Sequence, residues 1–123
     1  MGLSNPRTVG GQAEQIALDY LLARDLTLVA KNFNCRVGEI DLIMLDGTCL
    51  AFIEVRYRRP NRFASAALSV DRRKQNKLIR AAAFFLCRHS HFANHVARFD
   101  VVALDGPSES LSTIQWLRDA FRP

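Results

Sequence analysis

Two apolar segments joined by Asp46-Gly47 place the strongest constraint on how this chain folds. Residues 39–45 and 49–58 are rich in the aliphatic, β-branched and aromatic residues of strands, and Asp-Gly suits a two-residue turn between antiparallel strands. The two segments therefore predict a β-hairpin. In its second strand both alternating sets of residues are mostly apolar over 49–55, which is expected when both faces of a sheet are covered.

The segments around the hairpin complete an order of elements. Apolar residues recur at helical spacing over 9–24 and again over 71–88. Strand patterns cover 26–33 and 98–104, and 112–121 is patterned as a last edge strand or as a short helix. The core order is therefore α-β-β-β-α-β.

This order places a helix between the third and fourth strands, which favours a parallel crossover between them. We predict an α/β protein with three layers, in which helices cover both faces of a mixed central sheet. The length of 123 residues suits a single domain over 1–123. We expect 1–8 and 122–123 to be flexible ends.

Composition bears on the partner and on the cellular compartment. The net charge of +5 comes from 17 basic and 12 acidic residues, and 14 of the 17 are arginine, which binds phosphate with two hydrogen bonds. A polyanion, and above all nucleic acid, is the expected partner. Three cysteines without a CxxC pair indicate no disulfide framework. No apolar run approaches the ~20 residues that cross a bilayer, so we expect a cytoplasmic protein and no membrane partner.

Acidic residues interrupt the apolar strands of the hairpin. If Asp46 and Gly47 are the two loop residues, Glu39 lies directly opposite Glu54, and Asp41 is the diagonal neighbour of Glu54 on the same face. Like charges so placed repel each other, and their burial costs free energy unless a cation compensates.

Two kinds of cation could compensate for these carboxylates. Mg²⁺ binds carboxylate oxygens together with water and phosphate, whereas Arg56 projects from the same face as Glu54 and would form an ion pair. The ordinary alternative is a solvated face on which the acids pair with nearby arginines. Three acids and one cation on one face of an apolar hairpin favour a functional site.

Asp41, a 13-residue step and Glu54-Val55-Arg56 resemble the D-(x)n-(D/E)-x-K signature of restriction-endonuclease-like nucleases. A larger set of segments resembles the YraN-like family of small bacterial predicted endonucleases, which are related in fold to archaeal Holliday-junction resolvases. These segments are GEIDLI at 38–43, FIEVR at 52–56, Lys74-Gln75 and RFDVV at 98–102. The resemblance covers nearly the whole chain, from about Gly10 to Phe121.

The resemblance implies a three-layer restriction-endonuclease-like fold and an endonuclease of the PD-(D/E)XK type that uses Mg²⁺ or Mn²⁺. It implies that Asp41 and Glu54 bind the metal, together with Glu14 from the first helix, as in resolvase-like members. It also implies cleavage of DNA phosphodiester bonds, with selectivity for branched or structured DNA. We count Glu39 among the candidate catalytic residues because it shares the face of Asp41 and Glu54.

Arg56 stands where the signature has lysine, which in that superfamily orients or activates the attacking water. A guanidinium does not give up its proton and so cannot act as a general base, but Arg56 can still hold water or phosphate by its charge. Lys74 or Lys77, on the second helix, is the candidate for the missing amine. The alternative is that both are ordinary solvated lysines.

Basic residues are concentrated in 56–80, where nine stand against one acid. This run starts at the strand of Glu54 and continues to the second helix, so phosphate contacts would adjoin the metal site. The candidate nucleic-acid-binding residues are Arg58, Arg59, Arg62, Arg72, Arg73, Lys74 and Lys77. No helix resembles a base-reading helix, which favours structure-selective or nonspecific binding of DNA or another nucleic acid.

Two other functions stay open at this point. One is a catalytically inactive nucleic-acid-binding module of the same fold, in which Arg56 merely neutralises Glu54. The other is a protein-interaction adaptor, which would take up neither DNA nor metal. A homodimer is also left open, because two-fold symmetry suits the cutting of two strands.

Overall fold

The computed structural model describes residues 8–59 and 69–123. Its helices and strands follow the order α1-β1-β2-β3-α2-β4-β5, which confirms the predicted order and class. Their bounds are α1 Thr8–Leu22, β1 Thr27–Cys35, β2 Gly38–Asp46, β3 Cys49–Arg58, α2 Arg72–Arg88, β4 Val96–Asp105 and β5 Thr113–Phe121. Of the ends expected to be flexible, residues 1–7 lie outside the described residues. No helix within the described ranges is both long and apolar enough to cross a bilayer.

The five strands form one sheet in the order β1-β2-β3-β4-β5. Neighbouring strands are antiparallel except for β3 and β4, which are parallel. Because α2 lies between these two strands in the sequence, it is the crossover helix that the order of elements predicts. The segment that was patterned as strand or helix is a strand, β5, which pairs with β4 at the edge of the sheet.

Two hydrophobic clusters show that the helices cover opposite faces of the sheet. One cluster joins Phe85 of α2 to Phe52 of β3, whose ring centroids are 6.0 Å apart. The other joins Leu21 of α1 to Ile53 of β3. Phe52 and Ile53 are consecutive, and consecutive strand residues point to opposite faces. The molecule therefore has the predicted three layers, with helix, sheet and helix in turn.

The turn between β2 and β3 differs from the prediction by one residue. Asp46 pairs with Cys49 as part of the ladder, so the loop residues are Gly47 and Thr48. Gly47 has φ 63, in the left-handed region that glycine adopts readily. Asp46 stays in the strand, where its Oδ2 accepts a hydrogen bond of 2.7 Å from Nη2 of Arg98. This contact with β4 explains why Asp46 does not enter the loop.

The new turn changes which residues of the hairpin are opposite each other. Leu42 pairs with Ile53, and one further step along this register puts Asp41 opposite Glu54. The predicted position of Glu39 opposite Glu54, and the diagonal position of Asp41, are therefore wrong. Partners move by two residues, so each side chain keeps its face of the sheet. Asp41 and Glu54 therefore stay on one face. Ile40 and Leu42 are two residues apart but belong to different hydrophobic clusters, so alternation along β2 does not extend that face to Glu39.

Asp100, in the RFDVV segment, is completely buried and fully hydrogen-bonded. Nε of Arg98 donates to its two carboxylate oxygens at 2.9 and 3.1 Å. Nε1 of Trp116 and the backbone N–H of Asp119 donate to it at 3.0 and 2.9 Å. A buried charge is tolerated when it is paired and hydrogen-bonded in this way. With the contact between Arg98 and Asp46, this network ties β2, β4 and β5 together.

Glu109, in the loop between β4 and β5, is a buried acid with an unsatisfied side-chain oxygen. It is 6% exposed, and its Oε1 has no hydrogen-bond partner within residues 8–59 and 69–123. Burial raises the pKa of this carboxyl group above the ordinary value of 4.5, although a hydrogen bond from the Ala13 backbone opposes the shift. Folding therefore makes the ionised form of Glu109 less favourable than it is in the unfolded chain.

Replacing Glu109 by glutamine should raise the free energy of unfolding at neutral pH by about 1 kcal/mol, because the amide has no charge to desolvate. A raised native pKa stabilises the fold below the ordinary value, and this stabilisation is lost as the pH rises through the raised pKa. The advantage of Glu109→Gln should therefore shrink towards pH 4. Urea unfolding of both proteins at acidic and neutral pH checks this, and an equal difference at the two pH values would contradict it.

Candidate active site

The candidate carboxylates lie where β2 and β3 stop pairing. The ladder between these strands runs from the turn to the pair Leu42 and Ile53, although both strands continue beyond it. Just past this pair, the backbone N–H of Val55 donates a hydrogen bond of 2.8 Å to Oδ2 of Asp41. Because this N–H bonds to a side chain and not to the backbone of β2, the backbones of β2 and β3 are separated here. A pocket forms between them.

The pocket at this gap has a volume of about 330 Å³. Glu14 reaches it from α1 and Lys74 from α2, so side chains from both helices contribute to one pocket. All six residues that the sequence marks as candidate catalytic residues line it: Glu14, Glu39, Asp41, Glu54, Arg56 and Lys74.

Three of the carboxylates are close enough to share a cation. Glu14, Glu39 and Asp41 are half-buried, and each offers an oxygen that lies within 4.8 Å of the other two. Mg²⁺ holds its oxygen ligands at about 2.0–2.1 Å and Ca²⁺ at about 2.3–2.6 Å, so two oxygens on one ion are up to about 4–5 Å apart. The three residues therefore fit one hard divalent ion after small side-chain movements. No other such group of acidic, histidine or cysteine side chains occurs within the described ranges.

Glu54 lines the same pocket but stands outside this group of three. It is 3% exposed; its Oε2 accepts a hydrogen bond of 3.2 Å from Nη1 of Arg56 and lies 3.6 Å from Nζ of Lys74. Burial, and then the negative charge of Asp41, raise the pKa of Glu54 to about 8, although Lys74 and Arg56 lower it. The two cations therefore do not fully offset the cost of ionising this carboxyl group. Its role as a metal ligand stays a prediction.

The start of α2 positions both cations beside Glu54. Ser69 Oγ accepts a hydrogen bond of 2.8 Å from Nε of Arg56, which orients the guanidinium. Asp71 caps α2, and its Oδ1 accepts a hydrogen bond of 2.9 Å from the backbone N–H of Lys74. Between them Val70 is buried in the core. Sequence reasoning missed Ser69, because a hydroxyl thirteen residues from its partner gives no local signal.

Of the predicted nucleic-acid-binding residues, one lines the pocket, and the others that the structure describes are not part of its lining. Lys74 lines the pocket, and Arg62 lies outside the described residues. The other five are half-exposed or exposed, at the end of β3 or on the first turns of α2: Arg58, Arg59, Arg72, Arg73 and Lys77. Arg72 and Arg73 are consecutive on a helix and so project about 100° apart. The basic run is therefore contiguous in sequence but divided over more than one surface.

Comparison with known proteins places the chain in a family. The model described as "Uncharacterised protein family UPF0102" matches residues 13–104, a range that contains all six candidate residues of the pocket. A UPF0102 protein of Pseudomonas putida is 46% identical over 121 residues, which is 98% of each chain. One from Stutzerimonas stutzeri is 46% identical over 119 residues, 97% of this chain and 98% of its own.

A further UPF0102 protein, from Pseudomonas syringae pv. syringae, is 43% identical over 121 residues, again 98% of each chain. Identity at this level over full length means that the relatives share the whole fold. It also extends past the range of the family model to the edge strand β5. The chain belongs to family UPF0102, the YraN family to which its hairpin motifs point.

Proposed function

We propose that this protein is a DNA endonuclease that hydrolyses phosphodiester bonds with the help of Mg²⁺ or Mn²⁺. The observation that carries the proposal is the meeting of Glu14, Glu39 and Asp41 in one pocket with Glu54 and two cations. Acidic ligands for a metal beside positive charge for a phosphate is the combination that this reaction needs.

Hydrolysis forms a bond between phosphorus and the oxygen of water and breaks one phosphorus–oxygen ester bond, and the leaving oxygen takes up a proton. A divalent ion in the pocket would lower the pKa of water and offset negative charge on the phosphate. Glu14, Glu39 and Asp41 would hold that ion. Arg56, which cannot give up its proton, would hold the charge of the phosphate.

Lys74 takes the role of the lysine that the family signature places at the position of Arg56. Its Nζ lies 3.6 Å from Oε2 of Glu54 although it comes from α2 rather than from β3. Unlike a guanidinium, an amine can exchange a proton with water. Lys77, the other candidate, is exposed and does not line the pocket, so Lys74 is the better candidate.

We propose branched or otherwise structured DNA as the preferred substrate. Support comes from the resemblance to resolvases and from exposed basic residues on α2, the helix that also carries Lys74. Contacts of arginine with phosphate set position and orientation but carry no sequence information. Selectivity would then arise from the shape of the DNA.

A nuclease assay tests the proposal. Purified protein should nick plasmid DNA or cut a four-way junction with Mg²⁺ or Mn²⁺ and should be inactive with EDTA. Glu54→Gln keeps the shape of the side chain but removes the carboxylate that we propose joins the metal ligands when an ion is bound. It should lower the rate about 100-fold or more. Glu109→Gln is the matched control, since it changes another buried glutamate and should leave the rate unchanged. A Glu54→Gln protein as active as the wild type would sink the proposal.

One observation favours a second candidate, a catalytically inactive nucleic-acid-binding module. Arg56 and Lys74 already contact Glu54, so the pocket has a counterion without metal. This alternative predicts salt-dependent DNA binding together with no heat of Mn²⁺ binding in calorimetry. Uptake of Mn²⁺ that depends on Asp41 would exclude it.

A further inference from the structure

Helix α2 carries a basic side that the pocket does not use. The face buried against the sheet consists of Leu78, Ala81, Ala82 and Phe85. A second set is spaced by four, three, four and four residues, which places its members on one side of a helix with 3.6 residues per turn. The members of this set are Arg73, Lys77, Arg80, Phe84 and Arg88.

The charge of this side is not neutralised by its surroundings. Its four basic residues are exposed, and none has a carboxylate oxygen within 4.0 Å among residues 8–59 and 69–123. Phe84 is half-buried beside Phe33, with ring centroids 6.5 Å apart. The guanidinium carbon of Arg88 lies 4.6 Å from the centre of the Phe84 ring, and this cation–π contact holds Arg88 at the surface.

The turn between β1 and β2 extends the basic side. A Cβ atom on Gly38 would lie 3.3 Å from the carbonyl oxygen of Lys77, so this turn packs directly against α2. Its Val37 shares a shallow surface with Arg80 and Arg88, and the preceding Arg36 is exposed. We call this surface the α2 flank: Arg36, Arg73, Lys77, Arg80, Phe84 and Arg88.

The length of the α2 flank matches a stretch of nucleic-acid backbone. Fifteen helical steps from Arg73 to Arg88 cover about 22 Å at about 1.5 Å each. One strand of duplex DNA presents a phosphate about every 3.4 Å along its axis. The flank is therefore long enough for about six phosphates, and it offers five cations. The flank starts at Arg73, next to Lys74 in the pocket.

We infer that the α2 flank binds the phosphate backbone of a DNA arm that extends away from the pocket. The choice of DNA as the partner rests on the proposed function, because the same positive charge would also attract an anionic membrane or an acidic protein. DNA is favoured because the flank is continuous with a pocket suited to phosphate chemistry. Contacts of this kind are salt-dependent and indifferent to sequence.

Fluorescence anisotropy with a labelled DNA duplex about two helical turns long tests the inference. Binding is measured in EDTA over about 50 to 200 mM NaCl, so that metal and cleavage play no part. The double variant Arg80→Ser/Arg88→Ser is compared with Arg24→Ser/Arg122→Ser, which removes the same charge from exposed arginines outside the flank. Thermal unfolding of both variants checks that the exposed substitutions leave the fold unchanged.

The flank variant should lower the slope of log affinity against log salt concentration by about 1.8, which is about 0.9 for each lost phosphate contact, and weaken binding about tenfold at 0.1 M salt. The control variant should keep a slope close to that of the wild type. Equal slopes for the two variants would overturn the inference. Loss of binding to phosphatidylserine vesicles with unchanged DNA binding would also overturn it.

This outcome is independent of the nuclease assay. If the wild-type protein never cleaves DNA but the slope of log affinity against log salt falls in the flank variant, the endonuclease proposal is removed. The α2 flank is then left as a DNA-binding surface. Wild-type protein that cleaves, with the same slope in both variants, removes the inference alone.

Discussion

Asp41→Asn should abolish the uptake of Mn²⁺ and lower the rate of DNA cleavage about 100- to 1000-fold. The substitution removes one negative ligand from the group of Glu14, Glu39 and Asp41, whose oxygens lie within 4.8 Å of one another. Asparagine keeps an oxygen that can accept the hydrogen bond from the N–H of Val55. The change therefore removes charge while it preserves the gap between β2 and β3.

Asp41→Ala is the matched variant, because it loses both the charge and the acceptor for Val55. In EDTA, Asp41→Asn should be at least as stable as the wild type, since repulsion among the carboxylates falls. Asp41→Ala should lose about 1–2 kcal/mol of unfolding free energy, because a part-buried N–H is left without its partner. Calorimetric titration with MnCl₂ and urea unfolding measure the two effects. Uptake of Mn²⁺ by Asp41→Asn equal to that of the wild type would contradict the assignment.

Lys74→Gln should lower kcat about 100-fold or more and change KM little. Lys74 is the described amine that faces Glu54 inside the pocket, so its loss affects the chemical step more than the binding of DNA. Lys77→Gln is the matched control, one turn further along α2 and exposed. It should weaken DNA binding and leave kcat unchanged.

Steady-state cleavage of a labelled junction by the two lysine variants separates these effects. A loss of kcat that is the same in Lys74→Gln and Lys77→Gln would mean that the lysines act only as general positive charge. A rise in KM with kcat unchanged for Lys74→Gln would place Lys74 with the DNA-contacting residues. Either result would leave Arg56 as the cation with a direct part in the chemistry of the pocket, among the residues that the structure describes.

The order of elements and the three layers follow from local information in the sequence. The helical spacing of apolar residues in α2 and the apolar character of both faces of β3 each depend on residues a few positions apart. The crossover follows once the order of elements is known. The prediction that Asp41 and Glu54 share a face is equally local, because it follows from alternation along two strands. These features could be predicted for that reason.

The features that escaped prediction depend on contacts between distant segments. Asp46 remains in β2 because Arg98, 52 residues away, donates a hydrogen bond to it, and no turn rule contains that contact. Ser69 orients Arg56 although it comes thirteen residues later in the chain. The closeness of Glu39 to Glu14 depends on how α1 sits on the sheet, which no spacing along the chain specifies. Six residues of the pocket could be named from sequence, but their division into three acids close enough to share a cation and a Glu54 paired with Arg56 and Lys74 could not.

We propose that Glu14, Glu39 and Asp41 hold one divalent ion beside Glu54. The most direct test is an anomalous difference map from crystals of the protein soaked in MnCl₂. The claim predicts one strong peak in the pocket, about 2 Å from an oxygen of each of the three carboxylates. A pocket without a peak, in which the carboxylates bind only Arg56 and Lys74, would contradict it.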